Sequence, residues 1–166
     1  MNTHGMIRLY FFDTSAIIKL LVKEPGAPAV REILYNQHNQ IYTSWVLLGE
    51  TLGVLKRKLL HGELSDDLYG EAVHDLFTLI ADKRLGVVDI KADGDVAKLE
   101  TFDCEIHGIR RQYPEIDVAD ALQLAAIQNS YLKYYVGKSR PHLVTADATL
   151  ANIAKGLGIL VIRVNG

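Results

Sequence analysis

Ile7-Arg8-Leu9-Tyr10-Phe11-Phe12-Asp13-Thr14-Ser15-Ala16-Ile17-Ile18-Lys19-Leu20-Leu21-Val22 is the stretch on which the fold turns. Ile7 to Phe12 is a short apolar and aromatic run, the pattern of a buried strand. Asp13-Thr14-Ser15 interrupts it, and Ala16 to Val22 takes up a helix-like pattern that Pro25-Gly26 stops. A buried strand feeding a helix is the opening half of a βαβ unit.

Outward from there the alternation continues. Ala27 to Tyr35 reads as a second short helix and Gln40 to Thr43 as a second strand. Ser44 is placed to cap a helix running to about Leu60 with Gly62 as its stop, and Ser65 opens another reaching about Lys83. Leu85 to Ile90 reads as a third strand, Asp93 to about Ile109 as a helix, and Asp117 to Leu132 as a helix beginning after Pro114. Lys133 to Pro141 is a polar loop, His142 to Thr145 a fourth strand, Ala148 to Leu157 a helix closed by Gly158, and Ile159 to Val164 a fifth strand. Strands alternating with helices imply a parallel sheet covered on both faces. The expectation is a three-layer α/β/α fold with a five-stranded parallel sheet, formed by residues 1–166 as one domain.

Composition agrees with a globular chain: 166 residues, 49% hydrophobic and 23% charged, with no low-complexity segment. The net charge of -2 provides no global attraction to nucleic acid, so any such binding must come from local patches or bound metal. The lone cysteine, Cys104, cannot form an intramolecular disulfide and reads as a buried structural thiol in a reducing compartment. Met1 to Gly5 lacks the layout of a signal peptide, and no apolar run is long enough to span a bilayer. The expected location is the cytoplasm, with no membrane partner.

Four acids stand out. In open parallel sheets ligands bind beyond the carboxyl ends of the strands, and Asp13 and Asp147 follow the first and fourth strands. Glu50 lies about two turns into its helix among Val46, Leu47, Leu48, Leu52, Val54 and Leu55, where a glutamate is costly to bury without a partner. Asp120 sits in Val118-Ala119-Asp120-Ala121-Leu122-Gln123-Leu124-Ala125-Ala126-Ile127, apolar on almost every face. Each has a plainer reading: Asp13 and Asp147 as helix caps, Glu50 and Asp120 on solvated stripes.

The set says more than its members. Four carboxylates gathered within about 5 Å would repel by roughly 3 kcal/mol per pair at an effective dielectric of about 20, so a cation or shared protons must offset them. With only oxygen ligands, and six histidines scattered elsewhere, the donor set favours Mg2+ or Mn2+ over zinc. Thr14, Ser15 and Thr145 are the hydroxyls nearest the site, and Asp117, one turn before Asp120, either joins it or caps its helix. Lys56, Arg57, Lys58, Arg110 and Arg111 are candidates for contacts to a phosphate backbone, although the first three equally complement a helix C-terminus.

The segments FFDTSAIIKLL, SWVLLGETLGVLKRKL, DALQLAA and LVTADATLANIAKGLGILVI, in this order, resemble the PIN-domain family and within it the VapC-type toxins of toxin–antitoxin pairs. The resemblance implies that Asp13, Glu50, Asp120 and Asp147 are the family's acidic quartet, with Ser15 as an accessory hydroxyl. It also implies a homodimer, an antitoxin partner, and cleavage of RNA by a metal-dependent endoribonuclease. A non-catalytic scaffold that binds metal and RNA is the alternative. A haloacid-dehalogenase phosphatase would want an acid where Ser15 stands, and a receiver module would want its aspartate after the third strand.

Overall fold

The run from Ile7 builds strand β1 (Arg8–Phe12), and the computed structural model, which describes residues 7–88, 96–128 and 140–165, carries it into helices α1 (Thr14–Val22) and α2 (Ala27–Tyr35). Strand β2 (Asn39–Ser44), helices α3 (Trp45–Leu60) and α4 (Asp66–Ala81), and strand β3 (Gly86–Val88) follow. Helices α5 (Val96–Gln112) and α6 (Val118–Gln128), strand β4 (His142–Thr145), helix α7 (Ala148–Gly156) and strand β5 (Leu160–Arg163) complete the order.

Local chemistry sets most of these boundaries. Ser44 and Ser65 cap α3 and α4 by accepting the N–H groups of Leu47 and Leu68. Helix α4 stops at Ala81, short of the expected Lys83, because Lys83 takes a left-handed φ of 57°. Gly26 turns the chain between α1 and α2 at φ 94°, and a Cβ there would meet the Asn165 carbonyl oxygen at 2.8 Å, so no side chain fits. The end of the expected third strand, the start of the helix expected at Asp93, the end of the helix expected to reach Leu132 and most of the Lys133 to Pro141 loop lie outside the described residues.

All strand pairs are parallel, in the order β3-β2-β1-β4-β5. From β1 the chain winds outward through β2 to β3, then returns to the other side of β1 for β4 and β5. The reversal lies between β1 and β4, the place where an open α/β sheet leaves a crevice at its carboxyl edge.

Two hydrophobic cores hold the layers to the sheet. Tyr10 and Phe12 point to one face, with buried residues of α1, α2, α3 and α4, while Phe11 and Leu143 point to the other, with α6, α7 and Ile109 of α5. Leu9, Phe11 and Phe12 are essentially inaccessible, and burial of such side chains stabilises by about 1.5–3 kcal/mol each relative to exposure. Helix α3 straddles the sheet edge, sending Leu47 into one core and Leu48 into the other. Cys104 departs from expectation: it is exposed, because α5 turns Ile109 inward and Cys104 lies well around the helix from it. No helix among the described residues is long and apolar enough to cross a membrane.

Candidate active site

The β1–β4 register pairs Phe12 with Val144, so the next residues, Asp13 and Thr145, stand side by side where the two strands end. The Asp13 N–H still donates to the Val144 carbonyl at 3.1 Å, which fixes its backbone, and its carboxylate caps α1. Three donors converge on one oxygen, Asp13 Oδ2: the Ser15 N–H at 3.3 Å, the Ser15 hydroxyl at 2.6 Å and the Thr145 hydroxyl at 2.8 Å. Ser15 Oγ also accepts the Ala146 N–H at 2.8 Å, and Thr145 Oγ1 accepts the Asp147 N–H at 3.0 Å. These two hydroxyls therefore tie the end of β1 to the turn after β4.

The other acids arrive on three helices. Glu50 is half-buried on α3, where the Thr14 hydroxyl donates to its Oε2 at 2.7 Å. Asp147 is exposed and caps α7 through Oδ1, which accepts the Leu150 N–H at 2.9 Å. Asp120 is half-buried in the first turn of α6, and its carboxylate has no hydrogen-bond donor among the described residues. Exposed Asp117 accepts the Asp120 N–H at 2.8 Å and so caps that turn. All five line one cleft of about 470 Å³ between α1, α3, α6 and α7.

Electrostatics mark this cleft. Burial and the charges of Asp117, Asp13, Glu50 and Asp147 push the Asp120 pKa up to about 7. Burial also raises Asp13, against the opposing pull of its Ser15 and Thr145 hydrogen bonds. None of the ion pairs among the described residues involves these carboxylates. A divalent cation fits this donor set of hard carboxylate oxygens: Glu50 and Asp147 are each anchored through one oxygen only, and Asp120 through neither.

The expected tight gathering is not what the chain forms. Among the described residues, no three His, Cys, Asp or Glu side chains converge closely enough to enclose an ion as they stand. Hydrogen bonds to Thr14, to Ser15 and Thr145, and to the start of α7 fix three of the four in the lining of the cleft.

The sequence singles out the quartet, and the structure places all four in the lining of one cleft without closing them around a common point. Its plainer readings also hold in part: Asp13, Asp147 and Asp117 do cap helices, which places them without deciding their chemistry. Thr14 holds Glu50 instead of facing the cleft alone, and Ser15 and Thr145 hold Asp13. Among the five basic candidates only Lys58 lines the cleft. Lys56 lies over the Tyr69 ring at 5.5 Å, and Arg57, Arg110 and Arg111 are exposed away from it. Lys19 and Glu24, which also line it, went unnoticed, although Lys19 stands one helical turn beyond Ser15.

The PIN-domain family model matches residues 10–163. Among solved structures the chain is similar to VapBC2 from Rickettsia felis bound to a DNA fragment from their promoter, with a TM-score of 0.60 and 18% identity over 93% of this chain and 98% of that one. No curated protein matches. At that identity the likeness to VapBC2 speaks for the fold, and the family rests on the match of the domain model.

Proposed function

The chain belongs to the PIN-domain family, and from that premise we propose that it is a Mg2+- or Mn2+-dependent endoribonuclease of VapC type, the toxin of a type II toxin–antitoxin pair. The observation that carries this reading is Asp120, half-buried among four other carboxylates, none of which pairs with a cation among the described residues. Asp13, Asp120 and Asp147 would hold the ion, and Glu50 would stand beside it. When bound, such an ion polarises a phosphate oxygen and lowers the pKa of a water.

The protein's own residues do the rest. Ser15 and Thr145 fix the Asp13 carboxylate where it lines the cleft. Thr14 fixes Glu50, which orients the attacking water and takes its proton as the water oxygen bonds to phosphorus and the ester oxygen leaves. Asp117 holds the first turn of α6 and adds negative charge beside Asp120.

The partners follow from the same reading. The similar Rickettsia felis structure is a VapBC complex, which supports a cognate antitoxin for this chain. A homodimer and a cytoplasmic location belong to the same proposal. The test is cleavage of single-stranded RNA by purified protein: activity should disappear with a chelator and return with magnesium or manganese. Full cleavage in the chelator by a preparation free of contaminating ribonuclease would refute the metal mechanism. Metal-dependent RNA binding without cleavage would favour the scaffold instead.

A further inference from the structure

The cleft extends past the carboxylates, along the seam between α1 and α3. Ser15 and Lys19 lie four residues apart on α1, and Glu50, Val54 and Lys58 repeat the same spacing on α3, so each helix lines the cleft with a stripe that ends in lysine. At 1.5 Å rise per residue, Lys19 lies about 6 Å beyond Ser15 and Lys58 about 12 Å beyond Glu50 along their axes. These are the cations among the cleft-lining residues. Lys19 Nζ donates to the neutral Pro25 carbonyl at 2.6 Å and forms no ion pair among the described residues. Lys58 Nζ lies 2.9 Å from Glu24 Oε1, inside the cleft, and 2.9 Å from Glu63 Oε2, in the turn after α3.

We infer that Lys58, with Lys19 beside it, is the phosphate-binding end of the cleft, and that Glu24 and Glu63 occupy Lys58 until a backbone phosphate of the RNA displaces them. The inference rests on the nuclease reading and adds the direction in which the strand leaves the carboxylates, along α1 and α3. An ammonium has three donors and no fixed fork, so it can exchange one oxyanion for another without moving its helix. Lys58 keeps 22% side-chain exposure and Glu63 keeps 53%, so neither is sealed against such exchange. A purely structural ion pair would instead join the turn before α2 to the end of α3, with no consequence for RNA.

The two roles differ in sign. Equilibrium binding of a short labelled single-stranded RNA of mixed sequence is measured on the full chain, with calcium in place of magnesium, over a series of salt concentrations. Lys58→Gln should raise Kd about fivefold or more and flatten the slope of log Kd against log salt by about 0.7, one phosphate contact on a single strand. Lys58→Arg should restore both. Glu63→Gln should tighten binding about twofold, since it removes a competing anion. A structural role would leave the salt slope alone and make Glu63→Gln neutral or weakening. Wild-type binding with an unchanged slope in Lys58→Gln overturns this inference alone, whereas failure of the wild type to bind or cut RNA overturns the nuclease reading and this inference together.

Discussion

Asp120 concentrates the electrostatic tension of the site, because burial and four carboxylates, Asp117 the strongest of them, push its pKa up to about 7 from 3.8. A raised carboxyl pKa means that the folded chain holds a proton the unfolded chain has released. The stability this contributes is complete below about pH 3.8 and is lost as pH rises through about 7. The metal-free protein should therefore melt lower at about pH 8 than at about pH 5.5, and Asp120→Asn should remove much of that difference. An unchanged pH dependence in the variant would show that Asp120 is not the group responsible. The same substitution should cost two or more orders of magnitude in single-turnover RNA cleavage at saturating magnesium, roughly the scale of losing a main electrostatic stabiliser. Asp117→Asn should cost far less, since asparagine also caps, and it should move the metal-free melting profile to lower pH by relieving Asp120 of one negative neighbour. Equal losses of rate in the two variants would make Asp117 a ligand as well.

Strand β4 works at the site as much as in the sheet. Thr145 is fully buried at its end, donating to Asp13 and accepting from Asp147, so one hydroxyl sets the spacing of two acids that are distant in sequence. Thr145→Val keeps the branched shape that suits a strand but strands a buried carboxylate and an N–H. A loss of about 1.5–3 kcal/mol is expected, the range for hydrogen bonds to charged groups. Urea denaturation in a chelator measures it, and a loss below about 0.5 kcal/mol would mean that Ser15 alone suffices to hold Asp13. Helix α1 shows how packing overrides an element-level expectation. Taken alone its apolar sequence would offer a surface to a partner, yet Ala16, Ile17, Ile18, Leu20 and Leu21 are all buried, because α2, α3 and α4 close over it. On α3 the excess does remain outside, at Trp45 and Val46, which are 59% and 41% exposed.

For the whole molecule, two measurements bear on the proposal. Magnesium should raise the melting temperature of the wild type, by mass action on the folded state, and raise that of Asp120→Asn much less. Exposed Trp45, Val46, Leu68 and Phe77 supply apolar surface for a two-fold interface of roughly 1,600 Å² total, so light scattering at micromolar concentration should find a dimer, and a monomer alone would count against it. The sequence by itself determined the order of strands and helices, because periodicity, Ser and Asp caps and Pro and Gly stops act over a few residues. It also singled out Glu50 and Asp120, since a carboxylate in an apolar helix conflicts with its immediate neighbours. What only the tertiary structure decided is how the acids meet. Strand order β3-β2-β1-β4-β5 puts Asp13 beside Thr145 across more than a hundred residues of chain, a pairing that no local pattern encodes. The anchoring of Asp13 and Glu50 by hydroxyls of other elements, the exposure of Cys104 and the cleft's extension to Lys19 and Lys58 also depend on packing between elements. A helix face is written in its own sequence, but what covers that face is written in other parts of the chain.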